Sequence, residues 1–341
     1  GTLIDLAGTA TDLFGTPVIA AAGTIAAEDL SKFATIARRD IAGAVDIRLD
    51  GEVVADLSRA DVNLNGVATD LITGIAEADR LLAGAVDITL DGAVEGETLT
   101  LRRALIEGQN VQLDASGALA PETGNVAASG RIAAASLLLE GAPDGPLGFS
   151  GEATLEGRDW TFDLSADGPE LSLAADGVAL DPLGPAGAVE GRITANANDL
   201  SVFSALARRP LTGALSVAAE GGVFFDLSSF GIKGTTTGRG LSIGQAEVDR
   251  LLAGDLVLNI DAARTTDVID VNTLTLTTNL LDLQTTGALG LDGSSLKLDG
   301  RLADVGAFAA GFPGPATVTG TIGQVRTGGD YRVDVNLTGP G

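Results

Sequence analysis

The sequence predicts an all-β protein: an elongated, curled antiparallel β-sheet with a few short helices. Three observations predict it. Apolar and polar residues alternate with a period of two along most of the chain, the chain repeats itself at a fixed interval, and segments with helical spacing are too short and too few to cover a sheet.

The alternation defines the strands. Val86, Ile88 and Leu90 interleave with Asp87, Thr89 and Asp91, and Leu256, Leu258 and Ile260 interleave with Val257, Asn259 and Asp261. Leu99 and Leu101, Val111 and Leu113, Leu274 and Leu276, and Leu281 and Leu283 continue the pattern. Period two places one apolar and one polar face on each strand, so these fourteen residues are the expected groove lining. Asp-Gly pairs stand at 50–51, 91–92, 176–177, 292–293 and 299–300. Asp-Gly is the strongest short hairpin signal, and these pairs are expected to be turns. About twenty-five strands, spaced ~4.8 Å apart, would then form the sheet.

The repeat divides the chain. DRLLAG occurs at 79–84 and 249–254, and SKFATIARRDIAGAV at 31–45 aligns with SVFSALARRPLTGAL at 201–215, both offset by 170 residues. Later the offset slips by one, Trp160-Thr161-Phe162-Asp163 matching Tyr331-Arg332-Val333-Asp334. A shorter echo, AGAVDIRLDG at 42–51 and AGAVDITLDG at 83–92, has a spacing of 41. Two repeats, 1–170 and 171–341, are expected within one continuous elongated sheet.

Helical spacing is confined to Leu30, Phe33, Ile36 and Ala37, to Leu200, Phe203, Leu206 and Ala207, and to 76–82 and 246–252. Asp29 and Asn198 are the expected caps, and the Arg38-Arg39 and Arg208-Arg209 pairs the C-terminal cations. Each Leu, Ile or Val left in water forfeits roughly 1.5–3 kcal/mol, so a dozen exposed on one face would exceed the ~5–15 kcal/mol net stability of a domain. The sheet must therefore curl, either into a closed coil or into an open trough.

Composition narrows the chemistry. The chain has 341 residues, a net charge of −25, and neither His nor Cys. Imidazole bases, thiol nucleophiles, disulfides and ordinary zinc sites are excluded, and the charge repels nucleic acid. Ser294 and Lys297 have the S-x-x-K spacing, but on an alternating strand rather than the helix that chemistry needs. No catalytic residue, metal or cofactor is expected, and the protein is not expected to be an enzyme. The stretch VIAAAGTIAA at 18–27 falls far short of the ~20 residues of a membrane-spanning helix. The absence of Met suggests a segment of a longer chain.

DRLLAG followed by an alternating strand, LTLRRALIEGQNVQLDASGAL at 99–119, and above all FSALARRPLTGALSVAAEG at 203–221, resembles the central repeat region of the TamB family within the AsmA-like superfamily. The resemblance implies the open form, a curled antiparallel sheet forming a U-shaped hydrophobic groove with an aliphatic interior, held in the periplasm of a Gram-negative bacterium as part of an inner-membrane-anchored protein. It also implies phospholipid acyl chains as cargo, moved between the two membranes, or else assistance to outer-membrane protein assembly. An outer-membrane barrel partner, engaged through parts absent from this segment, comes with either role. A closed β-helix of structural or adhesive character is the third expectation.

Overall fold

The computed structural model describes residues 1–290, 293–309, 311–324 and 331–339. It contains two compact units, Gly1–Pro169 and Glu170–Gly341. In the first unit the strands are β1 (Thr2–Thr11), β2 (Val18–Ala27), β3 (Ala42–Val54), β4 (Arg59–Ile72), β5 (Ala85–Glu95), β6 (Thr98–Gly108), β7 (Val111–Leu119), β8 (Thr123–Ile132), β9 (Leu147–Glu156) and β10 (Asp159–Asp167). Each pairs antiparallel with its neighbours in sequence, in one meander from β1 to β10.

The second unit repeats the plan with β11 (Leu171–Leu180), β12 (Ala188–Ala197), β13 (Thr212–Phe224), β14 (Ser229–Ser242), β15 (Asp255–Thr265), β16 (Val268–Thr278), β17 (Leu281–Gly290), β18 (Gly293–Leu302), β19 (Ala316–Gln324) and β20 (Tyr331–Thr338). Neighbours again pair antiparallel, from β11 to β20. Neither meander closes into a barrel, and the coil of a β-helix, whose successive turns pair parallel, is absent among the described residues.

Among the described residues twenty strands replace the expected twenty-five, because most Asp-Gly pairs are not turns. Asp50-Gly51, Asp91-Gly92, Asp176-Gly177 and Asp299-Gly300 all lie inside strands. Asp292 lies outside the described residues, and Gly293 opens β18. The reason is steric. A Cβ on Gly66 would fall inside contact distance of the Asp46 carbonyl oxygen, and one on Gly130 would meet the Gln112 carbonyl and the Phe149 ring. On Gly51 it would lie 2.5 Å from the Asp61 carbonyl, whereas on Gly231, which faces the other way, it would meet nothing within 4 Å. The backbone of neighbouring strands rises toward the apolar side. Each sheet curls that way into an open trough, and glycine is the residue that tolerates the close approach.

The connections alternate between two rims. One rim has tight turns. The other carries the helical pieces: a 3-10 turn and α1 (Ala34–Ala37) between β2 and β3, α2 (Ala76–Leu81) between β4 and β5, a 3-10 turn (Ala135–Leu137) between β8 and β9, a 3-10 turn and α3 (Ser204–Ala207) between β12 and β13, α4 (Ala246–Leu252) between β14 and β15, and a 3-10 turn (Val305–Ala307) between β18 and β19, together with the short turns between β6 and β7 and between β16 and β17. Asp29 caps the first 3-10 turn by accepting from Ser31 N at 3.0 Å, as expected. In the second unit the cap is Asp199, bonded to Ser201 N at 2.8 Å, and not Asn198. A carboxylate one residue later reaches the backbone two positions on; Asn198 instead continues the extended chain, its N–H donating to Glu170 O. Arg38 and Arg208 are the C-caps of α1 and α3, each with φ of 53°.

DRLLAG acquires a physical meaning here. The carboxylate of Asp79 accepts from Thr73 N at 2.6 Å and that of Asp249 from Ile243 N at 2.7 Å, fixing the entry to α2 and α4. Arg80 and Arg250 reach along the rim to the carbonyls of Leu138 and Ala307. Gly84 and Gly254, at φ of 86° and 93°, turn the chain back into the sheet.

Candidate functional site

The pairing registers place residues of neighbouring strands in rows that run across each meander. In the first unit one row reads Ile4, Ile25, Ile47, Gly66, Ile88, Ile106, Leu113, Gly130, Phe149 and Ala166, one residue from each of ten strands. The next reads Leu6, Gly23, Leu49, Leu64, Leu90, Ala104, Ala115, Ala128, Gly151 and Leu164. Toward the tight-turn rim follow a row from Gly8 to Phe162 and one from Ala10 to Trp160, both apolar throughout. No charge interrupts these four rows.

A fifth row lies nearest the helical connections and contains Ala27, Val45, Ala68, Val86, Val111 and Ile132. Here the core is concentrated: Ala27, Ala68, Val86, Val111 and Ile132 are buried, as are Leu256 and Ala316 at the corresponding places in the second unit. Helical pieces pack against the strands at this rim and close it. Away from it the rows are open. Ile88, Ile106 and Leu113 are half-buried, while Leu99 is 51% exposed.

All fourteen lining residues expected from the alternation lie on the apolar face of their own unit. In the first unit Ile88 and Leu113 lie in the row next to the buried one, Leu90 in the next, and Leu101 and Leu99 in the two nearest the tight turns; in the second unit Leu258, Leu276 and Leu283 lie in the row next to the buried one, and Ile260 and Leu274 in the next. Val86, Val111 and Leu256 are buried and Leu281 half-buried, in the covered row. The first three form the packed base rather than the open wall.

No family model matches the chain, and no curated protein does. The chemistry of the face is therefore argued from its residues alone. It offers aliphatic area, with few aromatic and few polar groups, which suits flexible hydrocarbon rather than a ligand recognised by shape.

The opposite face is polar and is tied by ion pairs. At a bulge in β6, where Arg102 is the extra residue, the guanidinium donates to Asp61 at 2.7 and 2.9 Å and to Asp91 at 2.6 Å, joining three strands. Arg102 beside it holds the Asp61 carboxyl below the usual carboxylate range, chiefly by hydrogen bonding, and the guanidinium is itself shifted up by Asp61 and Asp91. The second unit has its bulge at the matching place, with Asn272 donating to Asp261 at 2.9 Å. Two hollows, one bounded by Glu52, Asp61 and Arg102 and one by Glu190, Arg192 and Lys233, are open depressions on this polar face, floored by Ala and Gly. They are gaps between long side chains, lined by the ion pairs Arg59–Glu52, Arg102–Asp61, Arg192–Glu220 and Lys233–Asp261.

Sequence alternation misses one feature. In the second unit Thr236 and Thr285 interrupt the apolar rows, and the row nearest the tight turns contains Phe230, Arg264, Ile269, Leu289, Ser294 and Gln324. Counting by two from Leu256 reaches Arg264, so the signal was present.

Among the described residues no helix is long and apolar enough to cross a membrane, and no three carboxylates gather as a metal site.

Proposed function

We propose that the apolar face of each unit is a conduit for phospholipid acyl chains, in a segment of a TamB/AsmA-like protein that bridges the inner and outer membranes of a Gram-negative envelope. The observation that carries this reading is the row pattern: across ten strands of the first unit, four adjacent rows present no charged side chain and have no second layer over them. An acyl chain on such a surface moves between equivalent apolar positions. Each methylene exposed at a polar break would cost about 0.8 kcal/mol, so continuity matters more than the shape of any one site. The acidic polar face keeps the protein soluble with this surface uncovered.

Photo-crosslinkers placed at Ile88 and Leu258 should trap phospholipid in protein purified from cells, and extraction should recover it. A lipid-free preparation with no adduct from either position would overturn the reading.

A second reading has its own support. Strand β1 pairs only with β2 among the described residues and is exposed along its length, with Asp5 its only charge. An edge of this kind accepts an added strand, which fits a factor that assists outer-membrane barrel assembly. Crosslinks from β1 to polypeptide, with none to lipid from Ile88, would favour it.

A further inference from the structure

We propose that Arg264 is a binding residue for the phosphate of an amphiphile whose acyl chains lie on the second unit's apolar face; the proposal rests on the conduit reading. Arg264 lies on β15 in continuous alternation with Leu256, Leu258, Ile260 and Ala262, so it belongs to the apolar face. Among the described residues it is the one charge in the apolar rows of either unit. Phe230 stands opposite it on β14 and Ile269 on β16. The corresponding residue of the first unit is Val94, so the cation is a departure from the shared plan.

The guanidinium is incompletely used. Its Nε donates to the Thr266 carbonyl at 3.1 Å, which anchors the group at the tight-turn rim. It makes no ion pair among the described residues, and its terminal amino groups have no partner there. The Asp226 carboxylate feels its charge but is bonded to Ser228 N at 2.9 Å. A half-buried cation beside Phe230 and Ile269, with its two terminal amino groups unoccupied, suits a bidentate phosphate, and the rows below it supply apolar area for the chains. In a chain of net charge −25, a phosphate has few such places to go.

The test is equilibrium binding of an acyl-labelled phosphatidylglycerol and of the diacylglycerol with the same chains, to the full chain and to Arg264→Val and Arg264→Lys. The wild type should prefer the phosphate-bearing lipid about tenfold; Arg264→Val, which installs the first unit's residue, should bind both alike, and Arg264→Lys should keep part of the preference. Millimolar inorganic phosphate should compete weakly, since it lacks the chains; full displacement by it would identify a free-anion site instead. An unchanged preference in a folded Arg264→Val protein, judged by circular dichroism, would overturn the assignment while leaving the conduit intact. If the wild type bound neither lipid, the conduit reading would fail, and this assignment with it.

Discussion

At the residue scale, glycine decides the curvature. Gly66 lies in the row of Ile47 and Ile88, where a methyl group would press on the Asp46 carbonyl, whereas Gly231 on the polar face has open space. Gly66→Ala should therefore destabilise the protein by about 1–3 kcal/mol through overpacking, while Gly231→Ala should stay within about 0.5 kcal/mol of wild type. Urea midpoints of the two variants measure the difference, and equal midpoints would show that the sheet does not bend where the glycines are. This is also where the sequence misleads. An Asp-Gly pair looks the same whether its glycine turns a hairpin or admits a neighbouring strand, because the second reason lies on a chain segment many residues away. Gly51 makes room for β4, and no local rule reveals it.

At the element scale, the short helical connections work through their carboxylates. Asp79 accepts from both the amide and the hydroxyl of Thr73, at 2.6 and 2.8 Å, and the amide bond above all holds its carboxyl below the usual range. Asp199 and Asp304 are lowered in the same way by the amides of Ser201 and Gly314, and Asp29 by the hydroxyl and then the amide of Ser31. Since the folded value is the lower one, the stabilisation is present above the unfolded value of about 3.9 and is lost as pH falls through the folded value. Asp79→Ala should melt below wild type at pH 7, and the gap should shrink as pH drops from about 5 to 2. A gap independent of pH would mean that the carboxylate does not act through its charge. The alternation was enough to assign every lining residue to one face, because parity is a local property. Which row the helical connections cover is not local, so Val86 and Leu256 gave no sign in sequence that they form the base.

At the scale of the whole molecule, the two kinds of apolar row respond differently to charge. Val86 is 0% exposed, so Val86→Asp buries a carboxylate without a partner and should abolish folding or lower stability by at least about 3 kcal/mol. Ile88, one row away, is half-buried at an open surface, where water can reach an introduced carboxylate. The Ile88→Asp and Leu258→Asp double variant should keep its circular dichroism and much of its thermal stability yet fail to transfer phospholipid between vesicles. Normal transfer by the folded double variant would show that these residues do not lie on the path.

The alternation of rims has a consequence for how such a chain grows. Every helical connection among the described residues follows an even-numbered strand, and so stands on one rim, because successive strands run in opposite directions. Insertion of one strand would reverse every strand after it and carry the next helix to the wrong side. Insertion of two leaves direction, rim and row unchanged. The 41-residue echo spans such a pair: β3 and β5 run the same way, and their matching residues, Ile47 with Ile88 and Leu49 with Leu90, occupy the same rows. The hairpin is thus the smallest unit by which evolution or design can change the reach of this architecture, and lengths are quantised in steps of two strands.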